Sequence, residues 1–296
     1  MEGNKSHKSF ERRISGVHGE KGKEWLRKLP NILNEAETRF DISIGTPFDL
    51  SYNYVTRAFL KDTYEPCVLK LGVDGKEFLT EVKTLEKFRG QGYVQLIDKE
   101  EELRAFLLSY KEGDTPPLDD VEAISSVMKR SPKIKTDIEI FPTIEEQFHS
   151  LQKYRNSKDL YEKGYVNEAL LRKAEDMIEV LLNSETEKVL LHGDLHAGNI
   201  IYDGERYTAI DPKGVVGELA FEPAQFFLNA PISLLKDEKI VNKWLLFFKE
   251  NNHLDPDRVI QYAFCKAVLS LVWLVEDNDP NWEEGVEYAK VIEMHV

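Results

Sequence analysis

Two short apolar runs, Leu190-Leu191 and Ile200-Ile201, enclose a loop reading His192-Gly193-Asp194-Leu195-His196-Ala197-Gly198-Asn199, and a third run, Ala209-Ile210, ends on Asp211. Apolar runs of this length bounded by polar residues read as strands, and Asp203-Gly204 between the second and third is a turn signal. The pattern predicts a strand that delivers the loop, a strand that leaves it, and a return strand. Asp194, Asn199 and Asp211 are then expected to face one cleft.

Those three residue types at that spacing match what phosphoryl transfer needs: a carboxylate to orient an attacking hydroxyl, and hard oxygen donors for magnesium on nucleotide phosphates. Asp194 is the candidate base or orienting group, and Asn199 and Asp211 are the candidate metal ligands. Each alone would equally suit a turn cap, so the joint arrangement carries the reading. His192, His196 and Asp194 also raise zinc, but the two histidines lie in a glycine-containing loop without the helical spacing of a zinc protease. His192 is expected to scaffold the loop, and His196 to serve a turn or the phosphate side.

Such chemistry needs a strand lysine on the phosphates, held by a helix carboxylate. Lys70 lies inside the apolar run Val68-Leu69-Lys70-Leu71, where a lysine is costly unless it meets anions. Glu81 on the following helix is its expected partner, with Glu77 the other carboxylate in reach. The main chain near Ser109, Tyr110 and Lys111 is expected to meet the nucleotide base.

The rest of the chain supplies context for these groups. Trp25, Leu26, Leu29, Ile32 and Leu33 recur at helical spacing after a polar first twenty residues. Residues 49–60 and 66–73 read as a hairpin, 76–88 as a helix, and 93–98 and 104–110 as two more strands before the breaker Gly113-Asp114-Thr115-Pro116-Pro117. Beyond it the pattern is helical, apart from the strands around 189–210. With 296 residues, two lobes are expected, 1–111 and 112–296.

A formal charge of −14 disfavours nucleic acid and anionic membrane surfaces; an acidic surface suits a cationic small acceptor but more often serves solubility alone. The two cysteines, Cys67 and Cys265, encode no disulfide framework. The polar N-terminus and the expectation that no stretch is long enough to span a bilayer point to the cytoplasm.

The chain resembles the aminoglycoside phosphotransferase family, and within it the streptomycin 6-kinase and hydroxyurea kinase branch. The resemblance rests on residues 25–30, Val68-Leu69-Lys70-Leu71-Gly72, the His192 to Asn199 loop, Ala209-Ile210-Asp211-Pro212-Lys213-Gly214, Gly217-Glu218 and Glu222-Pro223-Ala224. It implies an α+β, protein-kinase-like two-lobed fold, with an antiparallel sheet and one key helix in the N-lobe and a mainly helical C-lobe. It also implies ATP or GTP as donor, Mg2+, and an acceptor such as streptomycin. Glu218 and Glu222 stand where the acceptor pocket would begin and suit ammonium or guanidinium groups, or else cap a solvated loop. A kinase for hydroxyurea or another metabolite, and a silent nucleotide-binding fold, are the alternatives. Two departures stand out: Ser51-Tyr52-Asn53-Tyr54 replaces a glycine-rich phosphate loop, and no activation segment follows Asp211, which argues against a protein substrate.

Overall fold

The computed structural model describes residues 2–73, 75–135, 140–185 and 187–296, and the chain divides into two units, Met1–Glu112 and Gly113–Val296. The first unit opens with α1 (Glu2–Arg39), broken at Gly19, whose φ of 55° and ψ of −133° no helix accommodates. Helix was expected only from Trp25. The earlier half is helical as well because Phe10 and Ile14, one turn apart, are fully buried; the Phe10 ring packs 6.3 Å from Trp25 and 6.3 Å from Tyr54.

A strand not anticipated from the sequence, β1 (Ile42–Pro47), precedes the expected hairpin of β2 (Tyr54–Leu60) and β3 (Pro66–Leu71). Then come α2 (Gly75–Phe88), β4 (Leu96–Glu100) and β5 (Ala105–Ser109), and the strands form one antiparallel sheet in the order β1-β2-β3-β5-β4. Leu69 and Leu71 alternate with Lys70 along β3, and their side chains join Phe40, Ile42, Tyr54, Ala58 and Leu107 in a core beneath α1. Lys70 therefore points to the opposite face, which α2 covers with Phe78, Glu81, Val82 and Leu85. In register, Lys70 stands between Val55 and Phe106.

The second unit begins with α3 (Val121–Arg130), capped by Asp120; α4 (Ile144–Asn156), started by a Thr143–Glu146 capping box; the single-turn α5 (Lys158–Tyr161); and α6 (Glu168–Asn183). Four short strands follow. β6 (Val189–Leu191) pairs with β9 (Val215–Gly217), and β7 (Ile200–Tyr202) pairs with β8 (Tyr207–Ala209). The breaker segment adds to this layer, because Asp114 and Tyr202 exchange backbone hydrogen bonds of 3.0 and 2.8 Å.

Five helices complete the unit: α7 (Ala224–Asn229), α8 (Ile232–Leu235), α9 (Glu238–Asn252), α10 (Pro256–Glu276) and α11 (Trp282–Glu293). Trp244 and Phe248 of α9 pack on Phe226 and Phe227, as core aromatics do. α10 corrects one expectation: it is long and apolar enough to cross a bilayer, although 72% of its most apolar window is buried inside the protein. It is the central core helix, and its buried residues include one cation, Lys266.

Candidate active site

In the first unit the expected pair forms. Lys70 Nζ donates to both carboxylate oxygens of Glu81, at 2.8 and 2.7 Å, and each side chain is 6% exposed. A glutamate on the helix that covers the lysine's face of the sheet can reach it without strain, and Glu81 does so. The Phe106 ring centroid lies 5.8 Å from the ammonium. At the end of β5, Ser109 donates its amide to Gln95 O (2.8 Å), and its hydroxyl accepts the Gln95 amide (2.9 Å). Ser109 is thus committed to the sheet, while Lys111 lies exposed in the segment that follows.

In the second unit the loop after β6 is built around His192, which is fully buried. Its Nδ1 lies 3.2 Å from the Asp194 amide, which donates to it, so its Nε2–H donates to Ile210 O at 2.9 Å. The His192 carbonyl accepts the Lys213 amide at 2.8 Å. Burial lowers the His192 pKa to about 4, so the ring is neutral and serves as a hydrogen-bonding frame. This is the scaffold role the sequence suggested. Gly193 takes a φ of 80°, and a Cβ there would lie 2.5 Å from Val215 Cγ2, so only glycine makes the turn into Asp194.

Asn199 sits in the 3₁₀ turn Ala197–Asn199 and donates Nδ2 to Asp194 O (2.9 Å), with the Asp194 carboxylate oxygen 3.4 Å away. Its main-chain carbonyl accepts the Ile210 amide, which places Asp211, in the left-handed region at φ 61°, next in line. Asp194 and Asn199 are therefore in contact, and Asp211 is tied to them through one backbone bond. The Asn199 side chain also carries an amide oxygen, and the Asp211 side chain a carboxylate. That is a hard-oxygen set of the kind magnesium takes when substrate phosphates and water complete its shell. His196 accepts the Gly198 amide at Nδ1 (3.1 Å) and lies 3.9 Å from Asp194, which is the turn role anticipated for it.

Glu218 and Glu222 require a correction. They were read as acceptor ligands or as caps of a solvated loop; both carboxylates are instead engaged within the protein. Glu222 is 5% exposed and accepts the His192 amide at 2.7 Å and the Gly193 amide at 2.9 Å. Glu218 is bound by the Arg258 guanidinium, with Nε at 2.7 Å, and by the Tyr262 hydroxyl at 3.1 Å. Burial raises the Glu222 pKa to about 7, with repulsion from Asp194 adding to it and the two amides and Lys266 opposing it. The sequence reading missed this brace because a carboxylate thirty positions from the loop has no local signal.

Lys266 was missed as well. It is 5% exposed on α10, its Nζ is 3.4 Å from Gln147 Oε1, and it lies over the rings of Trp273 (4.8 Å) and Phe221 (5.4 Å). A lone lysine in the apolar stretch 262–275 was its only trace in the sequence.

Comparison with known proteins places this arrangement. Residues 59–278 match the family described as aminoglycoside/hydroxyurea antibiotic resistance kinase. The chain is 30% identical over 117 residues to streptomycin 3''-kinase of Klebsiella pneumoniae, a match covering 37% of this chain and 43% of that enzyme. It is 22% identical over 281 residues to streptomycin 6-kinase of Streptomyces griseus, covering 88% and 87%. Among solved structures it is similar to an aminoglycoside phosphotransferase in complex with ADP and hygromycin B (TM-score 0.61, 13% identity, 88% and 96% covered). It is also similar to choline kinase from Streptococcus pneumoniae (TM-score 0.62, 14% identity, 89% and 97% covered). The protein-kinase-like fold expected from the motifs is borne out, as is the resemblance to small-molecule kinases.

Proposed function

Because the chain belongs to the aminoglycoside/hydroxyurea antibiotic resistance kinase family, we propose that it transfers the γ-phosphoryl group of ATP to a hydroxyl of an aminoglycoside of the streptomycin type. The observation that carries this reading is the contact of Asp194 with Asn199 on a loop whose backbone is fixed from behind by His192 and Glu222. The streptomycin kinases among the relatives support the acceptor class.

In this reading Asp194 accepts a hydrogen bond from the acceptor hydroxyl, aims its oxygen at the γ-phosphorus, and takes up its proton as the new P–O bond forms and the bond to the bridging β-phosphate oxygen breaks, releasing ADP. Lys70, held by Glu81, binds the α and β phosphates and offsets their charge. Asn199 Oδ1 and the Asp211 carboxylate are the donors that would hold Mg2+, which when bound neutralises phosphate oxygens. No side chain is phosphorylated along the way; transfer is direct and in line. With Glu218 and Glu222 engaged elsewhere, neither takes part in recognising the acceptor.

The test is nucleotide turnover by the purified protein with Mg2+ against streptomycin, other aminoglycosides, hydroxyurea and small amino alcohols. Asp194→Asn should keep the fold and nucleotide binding and lower kcat by about 10²–10⁴-fold. A variant with wild-type turnover would refute the role of Asp194. Turnover with an amino alcohol or hydroxyurea in place of any aminoglycoside would move the acceptor and keep the chemistry.

A further inference from the structure

The two faces of the sheet in the first unit are covered unequally. On one face Ala58, Cys67, Leu69 and Leu107 are sealed in the core beneath α1. On the other, α2 lies over Lys70, while Val55, Arg57, Val68 and Tyr110 are only half-buried. Residues directly opposite in an antiparallel ladder share a face. Lys70 stands in one row with Val55 and Phe106, and the next row is Arg57, Val68 and Leu108. Arg57 is therefore on the face of Lys70, one two-residue step, about 7 Å, toward the end of β5 that leads to Tyr110.

An arginine is a poor choice for such a row on packing grounds, since a β-branched residue would fill it at no polar cost. The Arg57 guanidinium carbon lies 4.2 Å from the Tyr110 ring centroid and 5.6 Å from that of Phe59. Among the described residues the guanidinium has neither an ion pair nor a hydrogen bond, and its Nε is buried without a partner. An arginine that only lays its stem on an apolar surface keeps its head in water. This one does not, and a buried N–H donor with no acceptor destabilises the fold. The ring of Tyr110 fixes the group in place and leaves its donors unspent.

We propose that Arg57 is a nucleotide-specific binding residue: held on Tyr110, its planar head stacks against the purine of the phosphate donor. This rests on the kinase reading above, in which Lys70 binds the phosphates and the main chain at 109–111 meets the base. A nucleotide held at those two places lies along the row that Arg57 occupies. A guanidinium suits the position because it is planar, weakly hydrated and stacks on π faces, as a lysine ammonium does not. Stacking reads the face of a base and not its edge, so the contact serves adenine and guanine alike. It contributes to affinity and takes no part in the transfer.

Calorimetric binding to the intact chain tests this with two probes, Mg-ADP and Mg-tripolyphosphate, the second having phosphates and no base. Arg57→Ala should weaken ADP by about tenfold or more and leave tripolyphosphate within about twofold. Arg57→Lys keeps the charge without the plane and should behave like Arg57→Ala. Should Arg57→Ala not fold by circular dichroism, Arg57→Leu is read in its place. Equal ADP affinity in wild type and Arg57→Ala overturns the proposal and leaves the kinase reading standing. An equal loss for tripolyphosphate also overturns it, by making Arg57 a phosphate ligand, and wild-type affinity in Arg57→Lys does so by assigning the effect to charge. A loss found with ADP but not with GDP overturns the stacked contact. A wild type that binds neither probe strikes at the kinase reading and takes this proposal with it. Where turnover is found, Arg57→Ala should raise KM for ATP by about tenfold with kcat within about twofold.

Discussion

Two lysines, Lys70 in β3 and Lys266 in α10, are each 5% exposed, yet among the described residues only Lys70 has a carboxylate against it. Lys70 holds Glu81 at 2.7 Å across the face between sheet and helix. Lys266 has an amide oxygen at 3.4 Å and two rings. A close ion pair fixes geometry, which suits a group that must stand at one place for a phosphate. A buried charge without a close ionic partner keeps most of its desolvation cost, softened here by an amide oxygen and two ring faces. The comparison teaches that burial alone does not identify a functional lysine; what surrounds the ammonium decides its use.

The largest expected effect comes from making the first lysine resemble the second. Glu81→Ala leaves Lys70 buried without its carboxylate and should cost about 3–5 kcal/mol, measured by urea unfolding, with nucleotide affinity falling in parallel. If stability and affinity are unchanged, the pair is not what holds Lys70. Next, Glu222→Gln keeps the shape but offers the two amides only one acceptor, and should cost about 1–3 kcal/mol with a fall in kcat of at least tenfold. An unchanged kcat would separate the brace from Asp194.

Lys266→Met should be neutral or stabilising by about 1–2 kcal/mol at pH 7, since a buried charge without a close partner is replaced by an apolar chain. The pH dependence sharpens this. The folded pKa of Lys266, about 8, lies below the unfolded value of 10.5, so the unfolded chain binds more protons between those values and wild-type stability gains as pH rises through that window. The difference between wild type and Lys266→Met in urea unfolding should shrink from pH 7 to pH 10.5, and a constant difference would contradict a buried, charged Lys266. The smallest effect is the control: Lys28→Ala breaks an exposed i,i+4 pair with Glu24, the two side chains being 63% and 57% exposed, and should change stability by no more than about 0.5 kcal/mol.

Legibility in the sequence divides along the same line as the two lysines. Lys70, Glu81, Asp194, Asn199 and Asp211 could be singled out as candidates because each lies on or beside an element whose period shows in the sequence: a strand, the helix after it, and three short apolar runs around one loop. β1 was missed because only the buried Ile42 and the half-buried Ile44 of Ile42–Pro47 pack on the core, and two alternating apolar positions are too few to show a strand period. The first half of α1 was missed because Phe10 and Ile14 are sparse among polar residues. Glu218 and Glu222 were located but assigned the wrong neighbours.

The sequence by itself determined the order of elements, the strand–loop–strand carrying Asp194, and the family to which that loop belongs, because hydrophobic period and turn chemistry act over a few residues. Only the tertiary structure decided that Glu222 turns inward to the His192 and Gly193 amides, that Arg258 neutralises Glu218, and that Lys266 is buried without an ion pair. Those contacts join residues 29 to 119 positions apart in the chain. The electrostatic cost of a buried charge depends on every group packed around it, a quantity that no stretch of chain contains until the chain has folded.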